Sequence, residues 1–381
     1  MSLVRSLAKR SRAKSLCRDY RIGYAVVSLV FVGQAAGFVF AAFVLDSLRV
    51  RLGRAKVLGL GQLLMTLGYI PLVTTAPYPA VVVSFFFVGF GIATNVAMGN
   101  IFCGSLVNGT FLLGLLHGSY GVGGTTGPLI ATALVTVANS VWSRYYILPL
   151  SLVGMIAFLS LWSFWSYERE QTPAMRERES PAGGKSPLMG MLATLKLRVV
   201  QLGSLFIFAY QGAEVSISGW VISFLIQVRG GDPSSVGYVT AGFWAGITIG
   251  RFALSAPAQR IGERVFVYWL TCGALAFQIL VWAVPNVVTN AVAVSIVGLM
   301  LGPIYPCAAA VFLRKLSGRE ALSGMGTISA CGSLGGAVAP FLTGLLAQEA
   351  GTFVLHPIVI FLFVVMLVCW WALPVEDKKE E

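Results

Sequence analysis

Repeated apolar runs, each of about twenty residues, constrain this chain more than any other feature of its sequence. A helix of that length spans the hydrocarbon core of a bilayer. Hydrophobic residues make up 57% of the 381 residues and charged residues only 11%, which excludes a soluble globular domain. The runs are continuous rather than alternating in polarity, so they predict membrane helices and not the strands of a barrel.

The sequence therefore predicts an all-α, polytopic membrane protein with about 11 transmembrane helices. Their predicted bounds are 22–46, 56–76, 79–101, 111–137, 143–166, 199–227, 235–256, 265–284, 287–313, 322–347 and 353–373. The predicted domains are a basic N-terminal segment (1–21), an N-terminal half with five helices (22–166), a polar linker (167–198), a C-terminal half with six helices (199–373) and a tail (374–381).

The distribution of Lys and Arg predicts the orientation in the membrane. Seventeen Lys and Arg residues lie in the connections at one end of the helices and in the C-terminal tail, whereas the opposite connections contain only Arg144 and Arg229. Basic connections stay in the cytoplasm, so the linker and the C-terminus are expected there. The segment 1–21 is the exception, because its seven basic residues would then lie outside. The net charge of +12 thus reflects cytoplasmic loops rather than a surface for nucleic acid.

The two halves repeat each other at an offset of about 209 residues. The matched positions in the first half are Gly33, Gly37, Ala41, Arg51, Leu52, Gly53 and Gly89, and those in the second are Gly242, Gly246, Gly250, Arg260, Ile261, Gly262 and Gly298. At an offset of 212, GGTTGPLIATAL at 123–134 matches GGAVAPFLTGLL at 335–346. Parallel repeats of this kind are a transporter architecture, with the substrate site between the halves.

The same offset predicts a gap in the first half. The helix at 199–227 has no apolar counterpart, because the equivalent positions fall on the basic segment MSLVRSLAKRSRAKSLC. We therefore expect the first half to lack its first membrane helix, through truncation or an incomplete reading frame. A mitochondrial targeting segment is the alternative, since such segments are rich in Arg and Ser and poor in acids.

Four stretches resemble the major facilitator superfamily, and within it the fungal members related to fucose and glucose–galactose permeases. They are GYAVVSLVFVGQAAGF at 23–38, FAYQGAEVSISGW at 208–220, GFWAGITIGR at 242–251 and GPIYPCAAAVF at 302–312. The resemblance covers the chain from Tyr20 onward. It implies a fold of two parallel helical repeats, alternating access without ATP, and transport of a sugar-like solute or a secondary metabolite, by symport or efflux.

The resemblance also implies a cytoplasmic gating motif in each half. Asp46, Gly53 and Arg54 resemble this motif in the first half, and Arg260 and Gly262 resemble it in the second. Asp46 precedes Gly53 by seven residues, which is about one helical turn more than in the family pattern. The sequence therefore does not decide whether charged residues pair across the cytoplasmic ends of the helices.

Glu214 is the most informative single residue, because it is the only acid near the middle of a predicted helix. A charge at the bilayer centre costs about 2.5–3.5 kcal/mol on insertion scales, so such residues face a cavity or a partner. We expect Glu214 to couple transport to protons or to bind substrate; a structural contact with a neighbouring helix is the alternative. Gln211 and Ser218 share its face by spacing and would hydrogen-bond a polyhydroxylated solute or another helix.

Five further side chains are candidates with open alternatives. Asn95 lies on a helix that lines the cavity in the resembled family. His117 either relays protons or packs as a hydrogen-bonded histidine. Trp220 either stacks on a substrate ring or anchors at the interface, and Tyr305, between two prolines, marks a bend with a gating role. Arg251 either pairs with an acid across the bundle or reaches the interface.

Other classes of function find little support in the sequence. The six cysteines have no paired spacing and there are only two histidines, so no disulfide, metal or cofactor is expected. The Walker pattern GxxxxGK[ST] and HExxH do not occur, and the chain is not expected to be an enzyme. The expected partners are a small-molecule substrate, the proton and the lipid bilayer, with a monomer in the plasma membrane.

Asn108 is the acceptor of the only glycosylation sequon and is expected to be unmodified, because its connection is predicted to be cytoplasmic. A transport-inactive remnant or a membrane sensor is the alternative function, favoured by the predicted gap.

Overall fold

Helices form nearly all of the regular structure in the part of the chain that the computed structural model describes. That part comprises residues 20, 22–105, 109–138, 140–165, 193–316 and 318–374. Nine of the described helices are long and apolar enough to cross a membrane. The predicted all-helical, multi-pass membrane fold is confirmed.

The helices are numbered here in chain order. Those before the linker are α1 (Tyr24–Val27), α2 (Leu29–Leu52), α3 (Arg54–Val73), α4 (Tyr78–Ser105), α5 (Gly109–Thr136) and α6 (Ile147–Phe164). Those after it are α7 (Arg198–Arg229), α8 (Pro233–Ala253), α9 (Ser255–Ile261), α10 (Glu263–Ala283), α11 (Val287–Leu301), α12 (Ile304–Lys315), α13 (Gly318–Ala350) and α14 (Leu355–Ala372). Short 3-10 helices, Trp142–Tyr146 and Thr352–Val354, precede α6 and α14.

Contacts divide the chain into two compact units. Among the described residues, unit 1 contains those up to 165 together with 222–241 and 344–352, and unit 2 contains 193–221, 242–343 and 353–374. The boundary between the units crosses α7, α8 and α13. The division into halves at the linker stays a prediction.

Glycines in equivalent positions bring helices into backbone contact in each unit. In unit 1, a Cβ atom on Gly37 of α2 would overlap the carbonyl oxygen of Phe86 on α4. In unit 2, a Cβ atom on Gly246 of α8 would overlap the carbonyl oxygen of Ser295 on α11. Both members of the second pair lie 209 residues after those of the first, so the repeat seen in the sequence is also a repeat of contacts.

The repeat extends to the turns that follow α2 and α9. Gly53 has a φ of 81° and Gly262 has a φ of 97°. Any residue with a Cβ atom is strained at such angles, whereas glycine is not. The two glycines of the predicted gating motifs therefore end their helices in the same way.

Tyr20 contacts the end of unit 1 opposite Gly53. The Tyr20 hydroxyl donates to the carbonyl of Ala76 at 2.6 Å. The Tyr20 ring packs edge-on against Tyr78 at a centroid distance of 5.6 Å and lies 6.2 Å from the ring of Trp142. Tyr20, near the end of the predicted N-terminal segment, thus lies at the end of unit 1 that is predicted to face outside.

One predicted helix is interrupted. The sequence predicts a single helix over 287–313 with a bend at its prolines, and the structure has α11 and α12 separated by Gly302 and Pro303. Proline lacks the N–H that would continue the helical hydrogen bonds. At the interruption, the carbonyl of Leu301 accepts a hydrogen bond from the hydroxyl of Tyr210.

Candidate functional site

A buried ion pair joins α7 to α8 in unit 2. Glu214 is only 4% exposed, and its Oε2 atom lies 3.9 Å from Nη2 of Arg251, a contact that is long for a hydrogen bond. Among the described residues, this carboxylate oxygen has no hydrogen-bond partner. Of the two positions that the sequence allows for Arg251, the structure shows the pairing with an acid.

Tyr210 links this pair to the interrupted helix. It lies one turn before Glu214 on α7, is fully buried, and interacts electrostatically with both Glu214 and Arg251. Its hydroxyl donates to the carbonyl of Leu301, the last residue of α11, at 3.2 Å. Its ring lies 6.1 Å from that of Tyr305 at the start of α12. Glu214, Arg251, Tyr210 and Tyr305, with the Leu301 carbonyl, are called the acid cluster below.

The chemistry of the acid cluster centres on one carboxyl group. A guanidinium is always charged in a protein, so Arg251 stabilises the ionised form of Glu214. A proton on Glu214 would remove that attraction and give the carboxyl group a donor. Since a buried charge without its partner is costly, the two protonation states of Glu214 favour different positions of Arg251.

The two polar neighbours of Glu214 on α7 have other surroundings. Gln211 and Ser218 are half-buried, in contrast to Glu214. A Cβ atom on Gly336 of α13 would lie 3.5 Å from Gln211 Oε1, so Gln211 borders α13. Ser218 Oγ donates to the carbonyl of Val215 in its own helix at 3.1 Å. Gln211 thus borders α13, whereas Glu214 lies against Arg251 of α8.

Trp220 and Asn95 both contact neighbouring helices. Trp220 is buried, and its indole N–H donates to the carbonyl of Pro340 at 3.0 Å. Asn95 belongs to unit 1, where its Oδ1 atom accepts a hydrogen bond from Nε2 of the buried Gln62 at 2.8 Å. Its Nδ2 atom lies 3.6 Å from the sulfur of Met65. Gln62 was not among the predicted site residues, although a glutamine within a membrane helix indicates a polar contact with a neighbouring helix.

The residues of the predicted gating motifs differ between the repeats. Arg54 in unit 1 is only 2% exposed, and its guanidinium carbon lies 5.5 Å from the ring centroid of Phe102 and 6.0 Å from that of Phe164. In unit 2 the equivalent position holds Glu263, which forms a salt bridge of 3.1 Å with Arg314. Each contact joins the start of one helix to the end of another.

The remaining candidates are described only in part. Arg260 is exposed near the end of α9. Asp46 lies on α2 and His117 on α5, but their side chains are outside the described part of the structure. Among the residues that the structure describes, no group of three or more His, Cys, Asp or Glu side chains could hold a metal ion.

The comparisons with known proteins agree on one family. The family model of the Major Facilitator Superfamily matches residues 14–296 and 202–381. The "Bypass of stop codon protein 6" of Saccharomyces cerevisiae is 28% identical over 390 residues, which cover 94% of this chain and 77% of that protein. A "Glucose/galactose transporter" of Brucella abortus is 29% identical over 179 residues, 44% of this chain and 41% of that protein.

Solved structures share the fold at low sequence identity. The fucose:proton symporter FucP of E. coli has a TM-score of 0.63 and 16% identity, and the match covers 91% of this chain and 95% of that one. The nucleoside transporter NupG has a TM-score of 0.71 and 12% identity, with 94% and 92% covered. At these identities the likeness concerns the fold alone.

Proposed function

Because this chain belongs to the major facilitator superfamily, whose members are transporters and not enzymes, we propose that it moves a small organic solute by alternating access, coupled to protons through Glu214. The observation that carries the proposal is the buried pair of Glu214 and Arg251, at 3.9 Å, in a membrane-spanning helix. An ionisable residue inside a membrane is expensive, and its usual use is in an ion or substrate pathway.

The acid cluster offers a way to couple a proton to a change of shape. Protonation of Glu214 neutralises the carboxylate and releases Arg251 from it. Tyr210 is shared between this pair and the carbonyl of Leu301, where α11 is interrupted. A change in the charge of Glu214 therefore reaches the junction of α11 and α12 through the Tyr210 side chain. In this proposal α12 moves relative to α11 at the bend formed by Gly302 and Pro303.

We propose a polyhydroxylated, sugar-like solute as the substrate. The named relatives and structural neighbours include a glucose/galactose transporter and a fucose:proton symporter. Gln211 and Ser218 support such a substrate, because both are half-buried polar side chains on the same helix as Glu214. Polar groups of this kind orient a ligand in a pocket that is otherwise apolar.

The test is transport by the purified chain in proteoliposomes, with labelled galactose, fucose and a nucleoside as candidate solutes. Glu214→Gln keeps the shape of the side chain, but the glutamine amide neither ionises nor takes up a proton at physiological pH. We expect this variant to lose accumulation driven by an inward proton gradient while retaining solute exchange without a gradient. Ser216→Ala is the matched control, because Ser216 is also buried on α7.

Two results would contradict the proposal. Accumulation by Glu214→Gln with an unchanged dependence on pH would remove the coupling role of Glu214. A folded wild-type chain that binds a solute but exchanges none would favour the membrane sensor over the transporter.

We further propose the plasma membrane as the location, with the C-terminus in the cytoplasm, on the basis of the basic connections. Protease protection of a C-terminal tag in sealed cells tests the orientation. A mass loss at Asn108 on deglycosylation would reverse it, because glycosylation occurs on the outer side.

A further inference from the structure

Two amide side chains meet in unit 1 at positions where unit 2 has no such pair. Gln62 of α3 is 1% exposed, and its Nε2 atom donates to Oδ1 of Asn95 on α4 at 2.8 Å. The equivalent positions in unit 2, at the offset of 209, hold Thr271 and Ile304, which are both buried. Thr271 donates its hydroxyl to the carbonyl of Val267 in its own helix. The equivalent helices of unit 2 therefore pack without a side-chain hydrogen bond between these positions.

The packing of α3 against α4 does not depend on the amide pair either. A Cβ atom on Gly91 of α4 would lie 2.6 Å from the carbonyl oxygen of Gly61 on α3 and would overlap the side chain of Met65. Gly61 directly precedes Gln62, and Gly91 lies one turn before Asn95. Close backbone approach of this kind holds membrane helices together through van der Waals contact. The hydrogen bond is therefore additional to an interface that is already close-packed.

The amide pair also has a cost. Oε1 of Gln62 is buried and has no hydrogen-bond partner among the described residues. A buried acceptor without a partner opposes folding, whereas two apolar side chains of the same shape in place of a hydrogen-bonded pair are nearly neutral or stabilising. Stability alone therefore does not account for a glutamine at position 62.

The hydrogen bond determines which end of the Asn95 amide stays available. An asparagine side chain has one accepting oxygen and one nitrogen with two N–H donors. Gln62 occupies the oxygen, and Nδ2 lies 3.6 Å from the sulfur of Met65, which is a weak acceptor. The second N–H of Nδ2 has no partner among the residues that the structure describes, and Asn95 is only half-buried. Asn95 thus offers a donor and not an acceptor.

We propose that Gln62 is a positioning residue, which holds the Asn95 amide so that Nδ2 donates a hydrogen bond to an oxygen atom of the transported solute. The inference rests on the proposed transport of a polyhydroxylated solute and adds the chemistry of one contact. Asn95 then selects a solute with an accepting oxygen at that place. Without Gln62 the amide can turn over and offer either its oxygen or its nitrogen, so this selectivity is lost.

Analogues of galactose distinguish the two directions of a hydrogen bond. At a given hydroxyl position, fluorine keeps an acceptor, hydrogen removes it, and neither can donate. Competition with the exchange of labelled galactose, in proteoliposomes with equal pH on both sides, measures the affinity for each analogue. We expect the wild-type chain to bind the fluoro analogue about fivefold more tightly than the deoxy analogue at one position, which is the effect of one ordinary hydrogen bond.

Two single variants assign this preference to the amide pair. Gln62→Met keeps the length of the side chain but removes the donor, and Asn95→Ala removes the amide that Gln62 holds. In both, we expect the preference for the fluoro analogue to disappear and the KM for galactose to rise about fivefold, with the maximal rate per folded molecule unchanged. A purely structural role would lower the amount of folded protein and leave the KM as it is.

The double variant shows whether Gln62 acts through Asn95. We expect Gln62→Met to add no further loss of affinity to Asn95→Ala, because residues that act as a unit are not additive. Thr271→Val, at the position of α10 equivalent to Gln62, is the matched control and should keep the wild-type KM and the fluoro preference.

Three results would overturn the inference. The first is a wild-type KM and an unchanged fluoro preference in Gln62→Met. The second is a fluoro preference that survives in Asn95→Ala, a variant at a half-buried position that tests the contact even where Gln62→Met fails to fold. The third is an additive loss in the double variant. A wild-type chain that exchanges no sugar contradicts the proposed function itself, whereas normal exchange with any of the three results contradicts only the role of Gln62.

Discussion

Units 1 and 2 pack their glycine-bearing helices alike but differ in what surrounds them. Gly37 and Gly246 make the same contact with carbonyl oxygens 209 residues apart. The repeat therefore reproduces contacts between pairs of neighbouring helices. Trp162 of α6 and Trp370 of α14 lie at the same position in helices of 18 residues, but the first is exposed and the second is buried. In unit 2, Trp370 packs against Phe206 of α7 and Phe312 of α12, and its indole N–H donates to the carbonyl of Arg264 on α10.

The ends of the repeats show a second kind of difference. Gly53 and Gly262 turn the backbone in the same way, but Arg54 follows the first and Glu263 follows the second. Arg54 is buried between two phenylalanine rings, and Glu263 pairs with Arg314 on the surface. One backbone turn thus supports a desolvated cation–π contact in unit 1 and a solvated ion pair in unit 2.

The largest expected effect contrasts the two tryptophans. Trp370→Ala removes a fully buried ring and is expected to lower the free energy of unfolding by about 4 kcal/mol, whereas Trp162→Ala is expected to cost less than about 0.5 kcal/mol. A thiol-reactive dye that reads the exposure of the buried Cys307 and Cys369 on heating measures both. Equal losses would show that α6 is covered in the chain alone, and the contrast between the units would fail.

The next effect concerns the acid cluster, which unit 1 does not repeat, since Ala42 stands at the position equivalent to Arg251. Arg251→Met leaves Glu214 buried without its cation and is expected to cost about 3 kcal/mol. The double variant with Glu214→Gln should recover most of that loss, because it also removes the charge. Thermal unfolding at neutral pH measures the cycle, and a double variant no better than the single one would contradict the pairing.

A smaller effect compares two glycines. Gly335→Ala places a methyl group against the carbonyl of Phe208 and is expected to cost about 2 kcal/mol through overpacking. Gly123→Ala meets no neighbour, so the better helix propensity of alanine should stabilise the chain by up to about 1 kcal/mol. The same dye measurement applies, and a loss at Gly123 would show that its surroundings are already occupied.

The smallest effect separates the two helix ends. Glu263→Gln removes the negative charge of an ion pair that is partly exposed to solvent. It is expected to lower the free energy of unfolding by about 0.5 kcal/mol. The loss should fade as salt is raised, since salt screens exposed charges. Glu349→Gln, an exposed acid on α13, is the control. A loss that persists in high salt would mean that the Glu263 contact is desolvated like that of Arg54.

Sequence alone was sufficient for features that depend on spacing. The apolar runs predict the membrane helices, the offset of 209 predicts the equivalent glycine contacts, and the prolines around Tyr305 predict the interruption of α11 and α12. These properties follow from local chemistry and from periodicity. The gap predicted in the first half stays a prediction.

The partners of individual side chains could not be predicted in this way. Spacing places Glu214 on a face of α7 but does not determine that Arg251 of α8 lies opposite it, and it leaves Tyr210 unnoticed. Trp220 and Asn95 stay candidates for contact with substrate, and spacing did not predict that Trp220 bonds to the carbonyl of Pro340 or that Asn95 bonds to Gln62. Contacts between helices depend on how each helix is rotated and tilted, and these angles cannot be derived from a single sequence.

The interruption at Gly302 and Pro303 has a consequence for the lipid environment. The span Val287–Lys315 has 29 residues, which as a straight helix would measure about 44 Å, against a hydrocarbon core of about 30 Å. Two short helices joined at a bend can fit a thinner or thicker bilayer by changing the angle between them. Tyr210 is hydrogen-bonded to the last carbonyl before the bend, so a change in that angle would alter the surroundings of the side chain next to Glu214.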